Sequence, residues 1–224
     1  MMNDFQGRLR IATLSIAVVL GWFSLATIFA ESLTPETRSL SLDPAARPDP
    51  MPDGLLAGWS AAAAPLRGDL LADAALARAI PVLRPDKAAA SPEVLAARES
   101  ALFSARQALS FAPHASGTWL LVAMLENVKS PQESVAEALK MSYLTSPADL
   151  SLIPARVALV AASTATADAD LADLARRDVR LILTRRPDLK SAISSAYDGG
   201  STGGRSFLYE VMRSLDPKFA ATLR

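Results

Sequence analysis

Residues 11–30 (IATLSIAVVLGWFSLATIFA) run without one charged side chain, and no other stretch constrains the chain so strongly. At a rise of about 1.5 Å per residue, a helix of about 20 residues crosses the roughly 30 Å hydrocarbon layer of a bilayer. The hydroxyls of Thr13, Ser15, Ser24 and Thr27 can bond back to the helix's own carbonyls. A cleaved secretory signal is the competing reading. Its apolar core is roughly 7–15 residues long and ends in small residues at the cleavage-defining positions. Ala30 suits the last of these, but Ile28 is bulky where the other small residue belongs. The expectation is therefore an uncleaved single-pass anchor over residues 11–30, with the lipid bilayer as its partner. Arg8 and Arg10 directly precede the span, whereas Glu31 and Glu36 are the first charges beyond it. Together with the terminal amine this favours residues 1–10 in the cytoplasm. In a bacterium the rest of the chain then lies in the periplasm, held at the inner membrane.

Residues 31–53 show no hydrophobic periodicity and accumulate Pro35, Pro44, Pro48, Pro50 and Pro52. Proline fixes φ and removes a donor, so this stretch is predicted to be an extended, semi-rigid linker holding a domain of residues 54–224 off the bilayer. Within that domain the apolar spacing is helical almost throughout. Val94/Leu95, Ala101/Leu102, Ala105, Ala108/Leu109 and Ala112 trace one stripe, and Leu171, Leu174/Ala175, Val179 and Ile182 trace another. Phe207, Val211, Leu215 and Phe219 recur every four residues. Ser130-Pro131-Gln132-Glu133 has the form of a capping box, and Ser91-Pro92 makes a similar helix start. Hairpin dipeptides and long β-branched runs are missing, so the predicted fold class is all-α.

Pro113 and Pro147 stand 34 residues apart, with Trp119, Ala123, Val135, Leu139 and Ser142 in register between them. A period of 34 in helical-hairpin sequence resembles the tetratricopeptide repeat. Counted from Ser116, Trp119 is fourth, Ala123 eighth, Val135 twentieth, Leu139 twenty-fourth, Ser142 twenty-seventh and Pro147 last, as in that family's pattern. The neighbouring repeats are degenerate. Pro81 and Pro85 interrupt the upstream one, the turn at residues 163–167 lengthens the downstream one, and Arg156 occupies a leucine position. The resemblance implies a stack of about three hairpins whose first helices line a concave face. On the best repeat it makes Leu120, Met124 and Asn127 either the partner-binding residues or contacts packed against the next hairpin, and Trp119 is expected in the core with a large aromatic burial.

Composition narrows the chemistry. With no cysteine and one histidine, disulfides and thiol chemistry are excluded, and no cofactor or metal site is expected. Lys and Arg together number 23, as do Asp and Glu, and such a balance does not suit a nucleic-acid binder. His114 follows Pro113 in a turn and reads as a solvated connector. Residues 199–206 (GGSTGGRS) mimic a phosphate-binding loop in outline, but Arg205 stands where lysine is required, and the segment before it reads as helix. Arg176, Arg177 and Arg180 head the densest basic cluster, which also holds Arg185, Arg186 and Lys190. Interspersed with Asp173, Asp178 and Asp188 they read as a solvated face laced with ion pairs, or alternatively as a contact for anionic partners.

The expectation for function is a membrane-anchored, non-catalytic adaptor that binds a protein partner of the bacterial envelope. A loose likeness to small anchored helical proteins of envelope-polysaccharide systems points towards surface-polysaccharide assembly or export. Two alternatives stay open. A glycan-active enzyme would bring acids such as Glu99, Glu126 and Glu133 into one cleft, roughly 5–9.5 Å apart. A structural subunit of a larger membrane complex would pack its span on partner helices through Ala17, Gly21 and Ser24.

Overall fold

The computed structural model describes residues 2–32, 54–63, 66–83, 91–128 and 133–223. All regular structure among them is helical, as the apolar spacing predicts. The chain opens with α1 (Met2–Ser32), one continuous helix that includes the basic residues ahead of the apolar stretch. Its segment Arg10–Ala30 is 21 residues long, with a mean hydropathy of 2.1 over its most apolar 18 residues and none of those 18 buried inside the molecule. It is long and apolar enough to cross a membrane. The predicted linker, residues 31–53, lies outside the described residues except for Glu31 and Ser32, which end α1.

The next helices are α2 (Gly54–Ala63), α3 (Gly68–Leu83), α4 (Pro92–Phe111), α5 (Ser116–Asn127) and α6 (Glu133–Thr145). Ser91 starts α4 as expected, its Oγ accepting the Val94 amide at 3.3 Å, with Pro92 in the first helical turn. The box at residues 130–132 falls outside the described residues. Pro81 does not interrupt as expected. It sits in the last turn of α3, where the missing amide and the ring disturb only the end of the helix. The α3 and α4 helices pair along their length and in opposite directions, so close at one end that a Cβ on Gly68 would meet the Ala112 Cβ at 2.7 Å. The α5–α6 pair forms a second hairpin, with α5 also against α3 and α4.

Beyond α6 come α7 (Ile153–Ala162), α8 (Ala169–Arg185), α9 (Lys190–Asp198), α10 (Thr202–Leu215) and α11 (Pro217–Ala220). Here α7 is the central helix, packed chiefly on α9 and then on α8 and α10. The predicted stripes become the core: Val94, Leu102, Ala105 and Leu109 join Leu171, Ala175, Val179 and Ile182 in one continuous cluster. The every-four run from Phe207 to Phe219 is not one helix. Asp216 ends α10 and caps α11 through its Oδ1, accepting the Phe219 amide at 3.1 Å, and Leu215 is left 36% exposed.

A second, smaller cluster joins the end of α1 to the domain. Ala30 is fully buried with Ala57 and Ala61 of α2 and with Leu70, Leu71, Ala74 and Ala77 of α3.

Candidate functional site

The helix α5 (TWLLVAML within it) is apolar nearly all round, and three helices cover it. Leu120, Leu121, Ala123 and Leu125 are buried by them. Trp119, Val122 and Glu126, at spacings of three and four, form a stripe of α5 that borders open space. That space is a cleft of about 380 Å³ between α4, α5 and α6. Its apolar floor is Leu109, Val122 and Ala138, with Trp119 and Met141 beside it and Arg106, Glu126 and Glu137 supplying charge.

Trp119 packs against the main core as expected but is only partly buried there. Its indole Nε1 donates to the Pro113 carbonyl at 2.8 Å, so its polar edge is satisfied while its ring lines the cleft. Glu126 is held by two guanidiniums: Arg98 donates to Oε2 at 3.0 Å and Arg106 to Oε1 at 2.6 Å. Arg98, 5% exposed, also donates from Nε to the Leu125 carbonyl at 2.7 Å. A cation there satisfies a carbonyl at the C-terminal end of α5 and faces the negative end of its dipole.

Of the residues that the tetratricopeptide resemblance selects, Leu120 and Asn127 stand one residue from this stripe and Met124 two. Leu120 is 0% exposed, so it is a core contact and cannot meet a partner. Met124 and Asn127 are partly buried, Met124 against the main core, and neither lines the cleft. The helix α5 packs on α6, α4 and α3 together, which leaves little of its surface free. A single residue's shift turns a helical side chain by about 100°, enough to exchange core for cleft.

Arg176, Arg177 and Arg180 are exposed on α8. Arg176 pairs with Asp173 and lies 5.6 Å over the Phe207 ring. Arg186 pairs with Asp188 at 2.6 Å, which raises the guanidinium above its ordinary range and lowers the carboxylate. Asp178 does not belong to this solvated face. It is 2% exposed, on the same stripe as Leu171, Ala175 and Ile182, and it faces Arg156 and Tyr143.

Those three residues form a buried polar cluster joining α6, α7 and α8. Arg156, 0% exposed in its leucine position, lies 4.7 Å over the Tyr143 ring. It donates from Nε to Ser142 Oγ at 3.1 Å, and from Nη2 to the Ser142 carbonyl at 2.6 Å and the Ser146 carbonyl at 3.0 Å. The arginine thereby satisfies carbonyls at the end of α6 from the neighbouring helix. Burial drives the Asp178 carboxyl up to about 7, with the attraction of Arg156 opposing it. Burial, reinforced by Asp178, also pushes the Tyr143 hydroxyl well up. Tyr143 Oη, Asp178 Oδ2 and Arg156 Nη1 are buried there without a hydrogen bond of ordinary geometry. Sequence reasoning met Arg156 only as an irregularity; the signal available was a second charge, Asp178, at a core position of α8.

His114 is exposed in the turn before α5. Residues 199–201 join α9 to α10 where a phosphate loop would follow a strand, and Ser201 caps α10 by accepting the Gly204 amide at 3.1 Å. A Cβ on Gly204 would stand 1.9 Å from the Ala161 carbonyl oxygen, so the glycine serves the contact of α10 with α7. No three acids or histidines among the described residues are grouped to hold a metal ion. Glu99 is exposed and does not line the cleft with Glu126, while the Glu133 side chain is outside the described residues. Ala17, Gly21 and Ser24 are exposed on α1, and a Cβ on Gly21 would meet nothing within 4 Å. Comparison with known proteins gives no matching family model, no matching curated protein and no matching solved structure.

Proposed function

We propose that the chain is a membrane-anchored adaptor that holds a segment of another envelope protein in the cleft between α4, α5 and α6. The observation that carries this reading is the cleft itself. It is an apolar trough beside a helix too hydrophobic to be solvated, with an aromatic ring at its edge and both signs of charge along it. Such a surface suits an amphipathic helix or extended segment with one or two hydrophobic anchors. The exposed apolar stretch of α1 supplies the anchor. On this reading α1 crosses the bacterial inner membrane once and the helical domain lies in the periplasm. The two hairpins α3–α4 and α5–α6 are read as tetratricopeptide-like, and the process served as surface-polysaccharide assembly or export.

Affinity capture from native membranes tests the reading, using the full-length protein beside Glu137→Lys and Met141→Lys. The expected result is one discrete partner, retained by the parent and lost from both variants while their melting temperatures stay within a few degrees of it. Identical capture by parent and variants overturns the cleft as the docking site. Release of the parent from membranes by alkaline carbonate overturns the anchor.

A further inference from the structure

The short helix α2 is inside out for a helix surrounded by water. Its inward arc carries Ala57 at 1% exposed, Ser60 at 1% and Ala61 at 5%, whereas Trp59 is 66% exposed and Leu56 40%. At 100° per residue, Trp59 sits at the middle of the outward arc, with Leu56 and Ala62 about 60° to either side. Just past the helix Leu66 is 60% exposed, and Phe111, next to the Ala112 that abuts Gly68, is 44% exposed. Small residues face the protein and the largest apolar ones face out. Water penalises that arrangement, and an apolar medium rewards it.

The position of α2 identifies the medium. Ala30, the last residue of the apolar stretch in α1, is fully buried in a cluster with Ala57 and Ala61. If α1 spans, Ala30 marks the level at which the chain leaves the hydrocarbon, and α2 is fixed at that level. Tryptophan and leucine belong there, because an indole keeps its ring among acyl chains and its N–H among headgroups. A cation borders the same helix: the exposed Arg78 guanidinium, which donates from Nη1 to Ser104 Oγ at 2.8 Å, has its Nη2 3.8 Å from where a Cβ on Gly58 would be, and a lipid phosphate would suit it.

We infer that α2 is an interfacial helix, lying in the boundary of the bilayer that α1 crosses, with Leu56, Trp59 and Ala62 turned into the lipid. The inference rests on the anchor reading of α1 and adds a second, in-plane contact to it. The occupant of this face is lipid and not another protein chain.

Because the chain has no cysteine, single-cysteine variants carrying an NBD fluorophore test this site by site. Full-length Ala17→Cys reports on the span, Ala62→Cys on α2, and Ser206→Cys on the exposed face of α10, each reconstituted at low protein density in phosphatidylcholine/phosphatidylglycerol vesicles. The expected result is blue-shifted emission at positions 17 and 62, with nitroxide-labelled lipids quenching both by at least about twofold, and neither effect at position 206. Lipid quenching at 17 with water-like emission at 62 overturns the inference and leaves the anchor intact. A blue shift at 62 that lipid nitroxides fail to quench assigns the face to protein and also overturns it. Water-like emission at 17 removes the anchor and the inference together.

Discussion

Arg156 and Asp178 show how much one side chain can decide. A buried guanidinium left without its acceptors would be costly, yet here it closes α6 by bonding two of its terminal carbonyls. The carboxylate is the group that titrates. Its folded value of about 7 lies above the ordinary 3.8, so between these values the folded state holds more protons than the unfolded one. Stability therefore falls as pH rises from about 4 towards about 7 and is level with respect to this group above that. Arg156 and Tyr143 face it, and Asp149 acts on Arg156, so these are the charges that tune the midpoint. Denaturant unfolding of Asp178→Asn from pH 5 to pH 8 should lack most of the parent's decline; parallel curves for the two proteins would contradict the assignment. Gly204 makes a simpler case. A methyl group cannot fit 1.9 Å from the Ala161 oxygen without parting α10 from α7. Gly204→Ala should cost on the order of 2–3 kcal/mol or more. In a domain of this size that is a fall of roughly 5–10 °C in Tm, read by calorimetry.

Among the elements, α5 separates what spacing reveals from what it conceals. Its helical character, its burial and the start of α4 at Ser91 all follow from local pattern and capping chemistry. Which face of α5 stays open does not, because that depends on how three neighbouring helices settle against it. Leu120 is fully buried, while Trp119 packs on the main core with its ring also lining the cleft. Leu120→Ala should accordingly cost about 2–5 kcal/mol, and Trp119→Ala less, despite the larger side chain removed. Thermal melts of the two variants check the order, and a reversed order would put Trp119 back in the core. Ser91→Ala should cost about 1 kcal/mol by loss of the cap at the start of α4. In the same way, the spacing of Phe207 to Phe219 concealed the helix break at Asp216, where an aspartate before proline is itself a legible start signal. Asp178 falls on the apolar stripe of α8 and so was legible as a buried charge, but its pairing with Arg156 lay beyond the sequence, since the two belong to different helices.

For the molecule as a whole, the burial of Ala30 beside Ala57 and Ala61 bears on geometry at a distance. On the anchor reading, the contact of α1 with α2 at Ala30 sets the height of the cleft above the lipid, and the length of the proline-rich residues 33–53 does not. Ten glycine and serine residues inserted after Pro44 should leave energy transfer from a probe at Ser206 to a bilayer dye unchanged, while Ala57→Glu, which wedges the joint apart, should reduce it. A client of this protein would then have to present itself at one altitude, as a key must come to the level of its lock.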